Sequence, residues 1–228
     1  ETQYLLFQSM SWVLLSEQLN PIDCTAAMWA MAQASYPLDL SVFDHLAESL
    51  ARDDMLERSS TECISQALWS CGKMSTWEGL QQGHSGEPSL APYMASAEKY
   101  ATNLLSRKED MSPKDVAQTI WSLGKLSETI IIGEEYKGFV SLAVCLANSF
   151  NGIEIASILY GLARLGYNED DRVIDALVTS RFLETSVLAR STAREISSVM
   201  FSLGMMGHRN PKLFAKLIIF KNYFRILE

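Results

Sequence analysis

Nowhere does the sequence carry the unbroken stretch of roughly 18 apolar residues that a membrane-crossing helix requires. "LFAKLIIF" at 213–220 is too short and is interrupted by Lys216, so no membrane span is expected. Cysteine is scarce. Cys24, Cys63, Cys71 and Cys145 include no CxxC pair, and Cys63 and Cys71 stand too far apart to open a zinc knuckle. All four read as small buried apolar residues of a chain kept in a reducing compartment. Histidine occurs only at 45, 84 and 208. His45 in "FDHLAESL" has acids at helical spacing and reads as a surface residue. Asp53-Asp54, Glu134-Glu135 and Glu169-Asp170-Asp171 read as solvated faces or helix starts, so no metal site is expected. HExxH, GxSxG, GxGxxG and the P-loop are also missing, which leaves no basis for catalysis, a cofactor or a small-molecule substrate. With only 6 Pro and 12 Gly in 228 residues, the composition is neither collagen-like nor disordered. A formal net charge of −8 argues against a surface generally attracted to phosphate or anionic lipid.

What is present is a globular share of apolar residues, 48%, and a repeat. The segments "CTAAMWAMAQAS" (24–35), "ISQALWSCGKMS" (64–75), "VAQTIWSLGKLS" (116–127), "IASILYGLARLG" (155–166) and "ISSVMFSLGMMG" (196–207) share one template. Their aromatic anchors, Trp29, Trp69, Trp121, Tyr160 and Phe201, are spaced 40, 52, 39 and 41 residues apart. The long interval holds "TWEGLQQGHSGEPSLAPYM" (76–94), whose Gly, Pro and Ser content predicts a loop. A constant period near 40 marks stacked supersecondary units.

Nine residues before the anchors stand Asn20, Ser60, Ser112, Asn151 and Thr192, all side chains that accept a free backbone N–H in the first turn of a helix. Pro21 and Pro113 follow two of them at the first helical position, where proline is tolerated. Three residues after the caps come Asp23, Cys63, Asp115, Glu154 and Glu195. Acids suit that end of a helix, and the two glutamates are placed to close capping boxes. Each capped helix is therefore predicted to end near Ser35, Ser75, Ser127, Gly166 or Gly207. A leading helix is predicted before each, over about 3–18, 40–57, 92–107, 134–149 and 169–188. The expected fold is all-α: an α-solenoid of about five helix-turn-helix repeats plus a C-terminal half repeat. It would form a single helical-repeat domain over 1–228, with units at about 1–36, 37–75, 90–128, 129–167 and 168–208, a partial unit at 209–228, and a loop insertion at 76–91. Because the chain starts at Glu1 rather than methionine, it is expected to be a trimmed product whose targeting segment is out of sight.

Projected at 100° per residue, positions −4 and +3 from the anchor are small: Thr25/Ala32, Ser65/Gly72, Ala117/Gly124, Ala156/Ala163 and Ser197/Gly204. They predict a flat strip that admits a neighbouring helix at backbone distance. Positions −3, +1 and +4 form a second stripe. In the middle units it reads Gln66/Ser70/Lys73, Gln118/Ser122/Lys125 and Ser157/Gly161/Arg164, while the end units depart with Ala26/Ala30/Gln33 and Ser198/Ser202/Met205. An amide or hydroxyl in each unit suits a base edge, and a cation suits a phosphate. The bland alternative is a solvated face with a basic residue near the helix C-terminus. The tail adds Arg209, Lys212, Lys216, Lys221 and Arg225 against one acid, Glu228.

The phrase carried by "LWSCGKMS", "IWSLGKLS" and "LYGLARLG" resembles the octotricopeptide-repeat family and the related helical repeats found with RAP domains and in FAST-kinase-like proteins. The resemblance implies a mitochondrial or plastid protein that binds single-stranded RNA and acts in transcript processing, stability, translation or the ribosome. Gln66, Gln118 and Ser157 would then read bases, and Lys73, Lys125 and Arg164 would hold phosphates. The alternative is a scaffold that binds protein subunits of a large organellar complex, which the acidic charge favours.

Overall fold

The computed structural model describes residues 19–34, 40–75, 92–127, 136–168 and 170–225, with side chains through Ile219. The leading helix expected at 3–18, the loop expected at 76–91, Glu134-Glu135 and Glu169 lie outside them. The regular elements among the described residues are all helices, with no strand. In chain order the helices are α1 (Pro21–Ala34), α2 (Leu40–Leu50), α3 (Asp53–Arg58), α4 (Thr61–Met74), α5 (Pro92–Ser106), α6 (Pro113–Leu126), α7 (Tyr136–Cys145), α8 (Gly152–Arg164), α9 (Asp171–Ile174), α10 (Thr185–Leu188), α11 (Ala193–Met205) and α12 (Pro211–Arg225). Helix α9 runs on as a π-helical stretch, Asp175–Phe182.

All five predicted caps form. Asn20 Oδ1 accepts from the Asp23 N–H at 3.0 Å, Ser60 Oγ from Cys63 at 3.2 Å, Ser112 Oγ from Asp115 at 3.3 Å, Asn151 Oδ1 from Glu154 at 3.0 Å and Thr192 Oγ1 from Glu195 at 3.3 Å. Glu154 and Glu195 close capping boxes by accepting from the cap residues' own N–H groups, at 2.9 and 2.8 Å. Asp115 does the same for Ser112 at 3.0 Å, with a side chain one methylene shorter. Asn210 repeats the device at α12, accepting from the Leu213 N–H at 3.2 Å. At the other ends, Gly166 and Gly207 sit at φ 70° and 73°. That left-handed geometry lets Tyr167 donate to the Leu162 carbonyl and His208 to Leu203, at 3.0 and 2.9 Å, so two helices close by Schellman motifs.

The leading helices differ from the expectation of single rods. The span expected at 40–57 breaks at Arg52, whose backbone is extended (φ −69°, ψ 145°). The span at 134–149 ends in a 3-10 turn, Ala147–Ser149, and that at 92–107 is followed by another, Lys108–Asp110. The span at 169–188 is split into α9, its π stretch and α10. In each case a short second turn carries the chain round to the following cap.

The chain divides into two compact units, residues 1–115 and 116–228. In the first, α1 packs on α4 and α2, and α5 packs on α4 and α2. Its core includes Met28, Phe43, Leu46, Ile64, Leu68, Tyr93 and Tyr100, all fully buried. Phe43 meets Tyr93 edge to face with centroids 5.3 Å apart, and the Tyr100 hydroxyl donates to the Ala47 carbonyl at 2.6 Å. Arg107 Nη1 donates to the Ser59 carbonyl, just ahead of the α4 cap, at 2.8 Å. In the second unit α8 packs on α11, and α11 on α12. Phe139, Phe150, Leu159, Leu177, Phe182, Val199 and Leu203 fill its core. There Arg181 Nε donates to the Phe150 carbonyl, again just ahead of a cap, at 2.9 Å.

Candidate functional site

The capped helices α1, α4, α6, α8 and α11 carry the repeat phrase, so a shared register from each cap fixes which side chains share a face. The strip at −4 and +3 is buried in the first four of them. Its polar members are satisfied. Thr25 Oγ1 donates to the Pro21 carbonyl at 2.8 Å, and Ser65 Oγ donates to Asp115 Oδ1 at 3.0 Å. In the second unit, a β-carbon on Gly124 would lie 2.5 Å from the Gly161 carbonyl oxygen, and one on Gly161 would lie 2.3 Å from that of Ile120. The two helix backbones touch there.

That contact corrects the composition of the outer stripe. Position +1 was expected to line it, yet Ser70, Ser122, Gly161 and Ser202 are buried. The serine hydroxyls turn back into their own helices, donating to the carbonyls of Gln66, Gln118 and Ser198 at 2.9, 2.6 and 2.8 Å. They are not placed to reach a ligand. The side chains that remain half-buried in the middle repeats are at −3, 0 and +4: Gln66/Trp69/Lys73, Gln118/Trp121/Lys125 and Ser157/Tyr160/Arg164. The aromatic anchor thus takes the place assigned to the hydroxyl.

Of the six predicted site residues, Gln66 and Lys73 belong to the first unit, and Gln118, Lys125, Ser157 and Arg164 to the second. The clearest grouping is around Lys125. Its ammonium stands 4.9 Å from the Tyr160 ring centroid and 5.7 Å from that of Trp121. Both lie within the reach at which a ring's negative face attracts a cation. Two consecutive anchors therefore share one lysine, so aromatic surface and positive charge occur together. Tyr160 had been read only as an anchor. Its place at register 0 between Ser157 and Arg164 is the signal that points to it. Nearby, the Ser127 hydroxyl donates to the Gly124 carbonyl at 2.9 Å and to that of Arg164 at 3.4 Å.

Asp115, expected only as a first-turn acid of its own helix, has a buried carboxylate with partners on a second helix. It accepts from Ser65 Oγ, from Thr61 Oγ1 at 3.2 Å and from the Ser112 N–H. The arrangement joins the first turns of α4 and α6 through one buried carboxylate. Beside it, Lys114 Nζ meets Glu62 Oε1 at 2.8 Å on the surface.

A concavity of about 680 Å³ in the second unit is lined by residues that include Asp170, Asp171, Ile174, His208 and Lys212, and by none of the stripe residues. His208 Nδ1 lies 3.8 Å from Asp171 Oδ1. Hydrogen bonds from the Arg172 backbone and side chain hold the Asp170 carboxyl below its ordinary value. Among the described residues no three His, Cys, Asp or Glu side chains are grouped to hold a metal, and no helix is long and apolar enough to cross a membrane. The cysteines are free. Cys24 and Cys71 are buried, but Cys63 is half-buried and Cys145 exposed, which corrects the expectation for those two. Cys145 lies at the last residue of α7, where the chain enters its 3-10 turn. The fold defines an all-helical protein built on a capped, recurring second helix. No known family profile matches the chain, and no curated protein matches it.

Proposed function

We propose that the chain is an α-solenoid of about five helix-turn-helix repeats with a C-terminal half repeat, and that it binds single-stranded RNA in an organelle, without catalysis. The observation that carries this reading is the triplet of half-buried side chains in three successive repeats: an amide or hydroxyl at −3, an aromatic ring at 0 and a cation at +4. An unpaired base offers an edge to the first and a face to the second, and its phosphate meets the third. Lys125, held between Trp121 and Tyr160, joins the second and third roles at one place. The resemblance of "IWSLGKLS" and its companions to octotricopeptide repeats supports the same reading and a mitochondrial or plastid location, mitochondrial by preference. Transcript processing, stabilisation, translation or ribosome function are the roles that go with it.

A second reading is a scaffold that binds protein subunits of a large organellar complex. The net charge of −8 favours it, because a generally acidic body repels a polyanion outside its local basic groups.

Fluorescence anisotropy with a labelled single-stranded RNA across a salt series separates the two. The RNA reading expects micromolar binding at low salt that weakens as salt rises, with a log–log slope of about −2 for three cations on a single strand. The triple variant Lys73→Ala/Lys125→Ala/Arg164→Ala is expected to lose that binding and its slope. An absence of binding even at low salt leaves the scaffold reading in possession.

A further inference from the structure

Asn151-Gly152 is the single Asn-Gly dipeptide of the chain. It stands at the start of α8, with Asn151 exposed and Gly152 buried. Asparagine is a chemically labile side chain, because the backbone nitrogen of the next residue can attack its side-chain carbonyl carbon. A following side chain hinders that attack, and glycine has none. The other caps avoid the combination. Ser60, Ser112 and Thr192 carry no amide, and Asn20 and Asn210 precede Pro21 and Pro211, whose nitrogens hold no proton to give up. Asn148 precedes Ser149 in a 3-10 turn, where the Ser149 N–H is already engaged by the Leu146 carbonyl at 2.8 Å. The Gly152 N–H, in the first turn of its helix, has no acceptor within that helix. Both residues also serve the fold. Asn151 caps α8, and Gly152 lets the chain entering α11 approach: a β-carbon on it would collide with Ser191 Oγ and stand 3.3 Å from Glu195 Oε2. Ser191 is itself held, donating to the Val187 carbonyl at 2.9 Å.

We propose that Asn151 is a site of spontaneous deamidation, with water as the co-reactant and the α8 capping box as its brake. Hydroxide takes the Gly152 amide proton, and the nitrogen bonds to Asn151 Cγ. The Cγ–Nδ2 bond breaks, ammonia leaves and a cyclic imide remains. Water then opens the ring at one of its carbonyls. Cleavage between Cγ and the Gly152 nitrogen leaves an aspartate at 151. Cleavage of the original peptide bond leaves an isoaspartyl link, in which the main chain runs through the side chain. The net change is amide plus water to carboxylic acid plus ammonia, with nothing oxidised or reduced. In the folded chain Asn151 Oδ1 accepts from the Glu154 N–H at 3.0 Å, and the Asn151 N–H donates to Glu154 Oε2 at 2.9 Å. The backbone at Asn151 is extended (φ −92°, ψ 177°). Ring closure must turn both the side-chain amide and the peptide out of this arrangement, so it requires the first turn of α8 to open. The aspartate product can cap the helix again. The isoaspartyl product carries an extra methylene in the main chain where Ser191 leaves no room, and its loss of the cap is one-way. The inference does not depend on RNA binding.

Peptide mapping by mass spectrometry, after timed incubation of the full chain in warm, mildly alkaline buffer, tests this. The expected result is the mass gain of an amide becoming an acid, first in the peptide that holds residue 151, resolved by chromatography into aspartyl and isoaspartyl forms. Peptides holding Asn20, Asn148 and Asn210 are expected to stay unchanged over the same interval. In chain unfolded by guanidinium the reaction at 151 is expected to run at least about tenfold faster, since opening of the turn no longer limits it. Glu154→Ala removes one box bond, leaves the Asn151 cap and is expected to fall between the two rates. Asn151→Ser keeps a cap side chain, so it is expected to lose the modification while melting near wild type. Aged chain rich in the isoaspartyl form is expected to melt below Asn151→Asp, which carries the other product. Should Glu154→Ala melt early, the native and unfolded rates of wild type decide alone. Equal rates in those two states overturn the brake. No mass gain at 151 in either state, or a gain at Asn148 before it, overturns the site.

Discussion

Gly124 and Gly161 meet backbone to backbone, so that a β-carbon on the first would lie 2.6 Å from the α-carbon of the second. No side-chain motion relieves such a clash, because the atoms in the way belong to the main chain. Alanine gains about 1 kcal/mol over glycine in a helix, but overpacking of a rigid seam costs up to about 3 kcal/mol or more. Gly124→Ala and Gly161→Ala are each expected to destabilise by about 2 kcal/mol on balance. Gly204→Ala meets nothing within 4 Å and is expected to stabilise by about 0.5–1 kcal/mol. Urea midpoints of the three variants check the opposite signs; a stabilised Gly161→Ala protein would remove the close seam from the description.

Asp115 gathers two hydroxyls and one backbone N–H around a buried carboxylate. Its replacement by alanine leaves those donors without their acceptor, at about 2–3 kcal/mol. Asn151→Ala removes a single exposed cap bond and is expected to cost about 1 kcal/mol. Thermal melts of both variants should rank them in that order.

The Asp44 carboxyl is raised above its ordinary value of 3.8, chiefly by desolvation and further by Glu48, against the lowering effect of the Tyr93 N–H that it accepts at 3.1 Å. A raised folded-state value means that the folded chain holds this proton more tightly than the unfolded chain does. The ionised form therefore works against folding, fully above the folded value and not at all below the unfolded one. Asp44→Asn keeps an acceptor for Tyr93 and removes the charge. It is expected to melt higher than wild type at neutral pH and level with it near pH 3. Equal gains at both pH values would contradict the assignment.

Thiol reactivity should follow exposure. Burial, then the neighbouring Asp23 charge, push the Cys24 thiol up to about 11, and burial pushes Cys71 higher still. Since the thiolate is the reactive form, a thiol-reactive chromophore is expected to modify Cys145 first and Cys63 more slowly. Cys24 and Cys71 should react only after denaturant is added. Four thiols modified at one rate in native buffer would be incompatible with this burial.

Much of the local structure was legible because it is encoded locally. A cap is a side chain and an N–H three residues apart, so Asn20, Ser60, Ser112, Asn151 and Thr192 announce themselves without knowledge of the fold. The breaks in the leading helices were not legible. Met55 and Leu56, Val187 and Leu188 stay buried across them, so the apolar period continues while the backbone does not. The fate of position +1 was hidden for a different reason. A helical wheel gives the direction of Ser122 but not what stands opposite, and only packing decides between solvent and a second backbone. Asp115 hid in the same way, since its partners Thr61 and Ser65 lie 54 and 50 residues earlier.

Ser70, Ser122 and Ser202 each return their hydroxyl to a carbonyl four residues back, which already serves as an acceptor in the helix. Such a serine asks nothing polar of the helix across from it. Exchange for alanine would strip away a donor and leave no acceptor stranded, as the glycine at 161 and the alanine at 30 illustrate in the same register. At 161 the backbone seam admits glycine alone, whereas the serines at 70, 122 and 202 can give way to alanine or glycine with only volume as the arbiter. Divergence between copies of the phrase is free to accumulate there while the spacing of the helices stays fixed.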